Sequence, residues 1–422
     1  MEYSKLTDPL VAQNPEHAGL KSLSGTVWVL LVLQFFIELP FALTISGSTI
    51  YNIDVQHFTE IQAGVIFALI GLAVGCSAIG FSNFPTKFGV RVSLLYGNAL
   101  GLLTNVLVYC FEDRYLQVFI VFILFIPCIS LNFISLKLGI KHLTSGRSRS
   151  FAYSLSYTVF FSVSGLSAAF TDLMISTFGV TRQTFDYIFI VNIVSFIIAF
   201  AITYQLKTIS DSESDLEDQG AWTHITEVLT SKHFWKYFSL IGLLSVVKSM
   251  FFHLNATLPI YMNREIGPGA HFGYVLAAHQ LVLVVSTPLL TILTKYTTPY
   301  TLLVIGSLIT SMSVLMFIWK ASYLTISIFT IIISFGEAIY APRLIDYTLH
   351  VAPKGKEAIY LGISNVPNFL SLLITGITSG ILISMLCPSG DTQRCSEIWF
   401  WIGGYSFASC LPLLFLYRFY NA

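Results

Sequence analysis

Charge is the scarcest thing in this sequence. Asp, Glu, Lys and Arg make up 10% of its 422 residues, against about 25% in a soluble domain, which excludes a soluble enzyme and a nucleic-acid-binding module. No group of His, Cys, Asp and Glu has metal-ligand spacing, and no nucleophile stands beside a base at a useful interval. Neither an intramembrane enzyme nor a metal or other cofactor is therefore expected. A Walker-type phosphate loop is also missing, which argues against ATP drive. Residues 1–25 are polar and mixed in charge, unlike the apolar core of a cleavable signal peptide.

What is present is hydrophobicity: 55% of residues are hydrophobic and 15% aromatic, and the mean hydropathy is +0.75. A membrane span needs about 20 mostly apolar residues. Twelve segments qualify, at 26–50, 61–82, 92–111, 115–137, 150–177, 185–206, 237–262, 271–294, 299–318, 322–349, 359–386 and 398–419. With the N-terminus in the cytoplasm, fifteen of the 22 lysines and arginines fall on that side and five on the other. That bias places both termini inside. Lys137 is counted there, at the cytoplasmic end of span 4.

The chain is thus predicted to be an all-α membrane protein of twelve transmembrane helices. A cytoplasmic tail (1–25) precedes a six-helix bundle (26–206), a cytoplasmic acidic linker (207–236) and a second six-helix bundle with a short tail (237–422). The run Ser210 to Asp218 reads as a solvated linker, or as a set of kinase sites. Ala221 to Phe234 has the makings of an interfacial helix. Tyr3-Ser4-Lys5-Leu6 fits a tyrosine-based sorting pattern, so the expected location is the plasma membrane or an endosomal or lysosomal membrane. Cys387 and Cys395 bracket the loop between spans 11 and 12 on the non-cytoplasmic side, where a disulfide is expected.

Ionisable residues inside a span cost roughly 2.5–3.5 kcal/mol each on insertion scales and mark functional sites by default. Here they are Glu38, Lys248, His253, His279, Glu337, Arg343 and Asp346. Glu337, Glu38, His253 and His279 are the proton-coupling candidates. Glu337, Lys248, Tyr340, Asn255 and Asn365 are the candidates for contact with a substrate. Lys248, a mid-membrane amine, is the expected partner of Glu337, as a coupling pair or as a brace between two helices. Arg343 and Asp346, three residues apart, are expected to form an ion pair near the cytoplasmic end. Asn365, Pro367 and Asn368 form either a break that exposes carbonyls or a plain kink. Asn255-Ala256-Thr257 fits a glycosylation sequon but lies within span 7.

Two six-helix halves joined by a polar linker is how transporters made of repeated bundles are organised, with the solute site near the midplane. Lys87-Phe88-Gly89-Val90-Arg91, between spans 2 and 3, resembles the end of the major facilitator superfamily signature, with Thr86 and Ser82 at its Asp and first Gly. Gly336-Glu337, Pro342, Ala352-Pro353 and Gly362 resemble helices 10 and 11 of the proton-dependent oligopeptide transporters of that superfamily. Phe151-Ala-Tyr-Ser-Leu-Ser-Tyr157 is also similar to that family. The resemblance implies that Glu337 lines the solute site and contacts an amino group. The family's Glu-x-x-Glu-Arg-Phe element is met only at Glu38, with Phe35, Leu39 and Pro40 at other positions. Ending span 4 at Lys137 leaves that helix without the family's mid-helix lysine. The expected function is proton-coupled transport of a small polar solute, a peptide or amino acid, by alternating access. The expected partners are that solute, protons, the lipid bilayer and, undecided from sequence, another protein. The competing expectation is a transporter-like receptor or adaptor that binds without net flux, suggested by the incomplete helix 1 element.

Overall fold

The computed structural model describes residues 23–81, 84–144, 146–206, 230–267, 269–294, 296–319, 321–351, 366–390 and 394–415. Twelve helices are long and apolar enough to cross a membrane: α1 Gly25–Val55, α2 Glu60–Ala78, α3 Val90–Cys110, α4 Arg114–Leu143, α5 Leu155–Phe178, α6 Arg182–Gln205, α7 Phe234–Ala256, α8 Phe272–Thr291, α9 Pro299–Phe317, α10 Tyr323–Leu344, α11 Val366–Leu386 and α12 Glu397–Phe415. The protein is a multi-pass integral membrane protein, and among the described residues there is no strand. With an even number of spans, residues 23 and 415 lie at one face, here the terminal face; the opposite one is the far face.

Prolines sit inside these helices because neighbouring groups satisfy the backbone they disturb. Pro40 and Pro342 leave α1 and α10 continuous, and the Phe36 carbonyl, which lacks the Pro40 N–H, accepts the Ser195 hydroxyl at 2.8 Å. Two π-helical turns occur, Tyr51–Val55 at the end of α1 and Val121–Phe125 within α4. Gly89 precedes α3 with φ at +85°, a conformation glycine enters without a Cβ clash.

Three predicted boundaries change, the first at α1, which runs past residue 50 to Val55. α4 continues past residue 137 to Leu143, because Leu136 and Ile140 bury into the bundle core one turn apart. The helix of α7 starts at Lys232, inside the predicted linker, and gives way at Thr257 to a separate turn, Leu258–Glu265, with Pro259 near its start. The described part of α11 starts at Val366. Asn365, the Ser210–Asp218 run and Tyr3–Leu6 lie outside the described residues.

Lipid is as apolar as leucine, so membrane helices associate by close backbone approach and by buried polar bonds. α2 meets α11 through glycines: a Cβ on Gly64 would strike the Gly376 carbonyl, and one on Gly376 would strike Ala68 and the Gly64 carbonyl. Asn98 donates to Thr203 and Asn192 to Asn105, each at 3.0 Å, joining α3 to α6. Phe317, Phe329 and Trp399 stack within 5.0 Å of one another between α9, α10 and α12.

The far face is closed. Arg264, past the end of α7, pairs with Glu60 of α2 at 2.8 Å and also donates to the Cys387 carbonyl and Ser389. Cys387 and Cys395 form the expected disulfide. On the other flank Asp172 of α5 meets His271 at the start of α8.

Candidate functional site

Four charged side chains from α1, α4, α7 and α10, every third helix, interact in sequence: Glu38 with Lys137, Lys137 with Lys248, and Lys248 with Glu337. On α1, Gln34 donates to Glu38 Oε1 at 2.8 Å and to the Ser156 carbonyl of α5 at 3.0 Å, which fixes the carboxylate. Glu38 is buried, and its Oε2 has no hydrogen-bond partner. An unbonded buried oxygen of this kind is stabilised by a nearby cation or by a proton. The cation is Lys137 of α4, whose charge interacts with Glu38 and also with Lys248. Lys137 lies six residues short of the end of α4, about 9 Å along the axis at 1.5 Å per residue. Its side chain is nonetheless exposed.

Lys248 of α7 is half-buried and makes no hydrogen bond among the described residues. Its charge interacts with Glu337 of α10, at more than ion-pair distance. The side chain in contact with Glu337 is His279 of α8, whose Nε2 lies 3.3 Å from Glu337 Oε2. The expected Lys248–Glu337 contact is thus corrected: the histidine stands nearer, with the lysine beyond. His279 is oriented by Ser334, one turn before Glu337 on α10, whose hydroxyl lies 2.6 Å from Nδ1. Glu337 Oε2 is buried and accepts no hydrogen bond among the described residues, its nearest ionisable neighbour being the His279 ring.

Other candidates take different places. His253 is fully buried, with Nδ1 2.6 Å from Thr257 and Nε2 2.7 Å from Tyr405 and 3.2 Å from Thr378. Both ring nitrogens are occupied, so it braces α7, α11 and α12. Tyr340 is wholly buried, its ring 6.2 Å from Phe251 and its hydroxyl donated to the Leu244 carbonyl at 3.3 Å; it packs α10 on α7 rather than lining a cavity. Asn255 is half-buried in the last turn of α7. Arg343 reaches α8, donating to Thr294 at 3.0 Å and the Thr291 carbonyl at 3.3 Å, and the side chain of its expected partner Asp346 lies outside the described residues.

Sequence reading missed Lys137, Gln34 and the far-face residues Glu60, Arg264, Asp172 and His271. For Lys137 the signal was available: Leu136, Leu138, Ile140 and Leu143 carry helical spacing past the predicted end. For the far-face pairs there was none, since each joins helices distant in sequence.

The sequence profile of the Major Facilitator Superfamily matches residues 30–376. A comparison with curated proteins returned no match. Among solved structures the chain is similar to a POT family transporter in complex with 5-aminolevulinic acid, with TM-score 0.76, 13% identity and coverage of 94% of this chain and 96% of that one. It is also similar to a bacterial homologue of the human drug peptide transporters PepT1 and PepT2 (TM-score 0.76, 10% identity, 94% and 98% covered). A third is an auto-inhibited POT family peptide transporter (0.74, 10%, 93% and 96%). At these identities the likeness is one of fold.

Proposed function

The chain belongs to the Major Facilitator Superfamily and is a transporter, and from that premise we propose that it moves a small solute bearing an amine and a carboxylate, driven by protons through alternating access. The observation that carries this reading is the interacting charge set Glu38, Lys137, Lys248 and Glu337. Glu337, whose side chain stays 14% exposed beside His279, receives the amino group, and Lys248, with no hydrogen bond among the described residues, receives the carboxylate. A charge-assisted hydrogen bond at each end discriminates against a neutral solute. POT family transporters of similar fold are solved in complex with 5-aminolevulinic acid and with a thioalcohol-conjugated peptide, and an amino acid or short peptide is accordingly the favoured class here.

Protons enter at two carboxylates. Glu337 is neutralised by a proton or by the solute's ammonium, and Glu38 by a proton or by Lys137. A charge left alone is costly to carry through a closed intermediate, so both sites favour moving solute and proton together. The charge bias along the chain and the Cys387–Cys395 disulfide at the far face both support cytoplasmic termini, since disulfides persist where the compartment is oxidising. The receptor alternative rested on the incomplete helix 1 element, and the Lys137 charge near Glu38 weakens it.

The test is uptake of labelled dialanine and 5-aminolevulinic acid into proteoliposomes with and without an inward proton gradient. Glu337→Gln is expected to abolish gradient-driven uptake. Undiminished uptake with the same pH dependence overturns the role given to Glu337, and saturable binding with no flux in the parent protein favours the receptor.

A further inference from the structure

α8 begins at Phe272 with His271 as its N-cap residue, yet the His271 side chain makes no capping hydrogen bond. The cap comes from the other half of the chain. Asp172 of α5 accepts the backbone N–H of Gly273 on Oδ1 at 3.0 Å and meets His271 Nδ1 through Oδ2 at 2.8 Å. The backbone N–H of His271 goes to the hydroxyl of Tyr323, the first residue of α10, at 3.0 Å. Asp172 is only 2% exposed, so both its oxygens depend on these partners. A helix N-terminus offers unpaired N–H groups and the positive end of the helix dipole, which is where a carboxylate is best placed. Gly273 makes the approach possible: a Cβ there would strike the Ala168 carbonyl and the Asp172 Cβ.

We propose that Asp172 caps α8 across the interface between the two halves and that Asp172, His271 and Gly273 form a latch holding the far face shut. The inference rests on the alternating-access reading and deepens it. Separating α5 from α8 to open the far face strips the Gly273 N–H and both Asp172 oxygens of their partners together. The latch therefore sets the population of the closed state without touching the solute, and Asp172 is a positioning residue. Glu60 and Arg264 close the opposite flank, so opening requires both contacts to part.

The experiment uses the full chain in lipid nanodiscs with nitroxide labels at Ser176→Cys on α5 and Leu324→Cys on α10, both exposed positions. Cys76→Ser and Cys110→Ser remove the two exposed free thiols. Pulsed electron paramagnetic resonance reads the distance between labels in monodisperse preparations. The parent is expected to give one short distance, and Asp172→Ala is expected to raise a longer-distance population about tenfold. Asp172→Asn should stay near the parent, because its amide oxygen accepts from Gly273 and its amino group donates to His271. Gly273→Val should open the face with Asp172 intact. An unaltered distribution in Asp172→Ala, or an Asn variant as open as the Ala variant, overturns the latch. The distances need no solute, so absent uptake of dialanine with a responsive far face counts against the transport reading alone.

Discussion

Lys137 carries the coupling argument at the scale of single residues. Its ammonium supplies the charge that stabilises Glu38, whose second oxygen has no hydrogen bond. Lys137→Ala is expected to lower gradient-driven uptake of dialanine about tenfold or more, equivalent to about 1.4 kcal/mol. Lys141→Ala, one turn nearer the terminal face, should stay within about twofold of the parent. Equal losses in both would mean that uptake responds only to total charge. His253 gives the opposite expectation. Removing it leaves Thr257, Thr378 and Tyr405 without their shared partner in a buried site, at a cost of roughly 1–3 kcal/mol. His253→Ala should therefore lower the melting temperature while the pH profile of uptake keeps its shape, and a displaced profile would restore it to the proton path. Glu38, Lys248 and Glu337 were legible in the sequence because ionisable residues in apolar runs are rare. Lys137 was not, because it stood at a boundary drawn by hydropathy alone. Tyr340 shares a helix with Glu337, and only the approach of α7, invisible in one sequence, shows that it is buried.

At the scale of elements, hydropathy recovers the helices and conceals their pairing. All twelve spans were readable, since length and apolarity are local properties. Which helices touch is decided by small residues whose partners lie hundreds of positions away. Gly64 on α2 and Gly376 and Gly380 on α11 carry no local signal, yet they set a close backbone approach between the halves. Gly376→Leu places a branched side chain against Ala68 and the Gly64 carbonyl. Overpacking of this kind costs about 1–3 kcal/mol, and here the strain can be relieved by moving α2 away from α11. The expected outcome is reduced thermal stability together with slower uptake. Normal stability and uptake would mean that the two helices slide past one another freely.

On the scale of the whole molecule, contacts between the halves at the far face stand beyond a set of interacting charges from every third helix. The far-face pair of Arg264 and Glu60 is the element of this closure most open to a direct charge test, since it is a single bond at 2.8 Å between side chains 12% and 22% exposed. Arg264 is held from behind by the Cys387 carbonyl and Ser389, so the disulfide-closed loop aims the guanidinium at α2. An ion pair that is partly shielded keeps more of its Coulomb attraction than a surface pair does. Arg264→Glu alone sets two carboxylates against each other and should raise the open far-face population in the spin-label distances. Combining it with Glu60→Arg reverses the pair and should return most of the closed population, a coupling of about 1 kcal/mol or more in a double-mutant cycle. If the double variant is as open as the sum of the singles, the two residues act independently and closure belongs to the helix packing and the Asp172 latch.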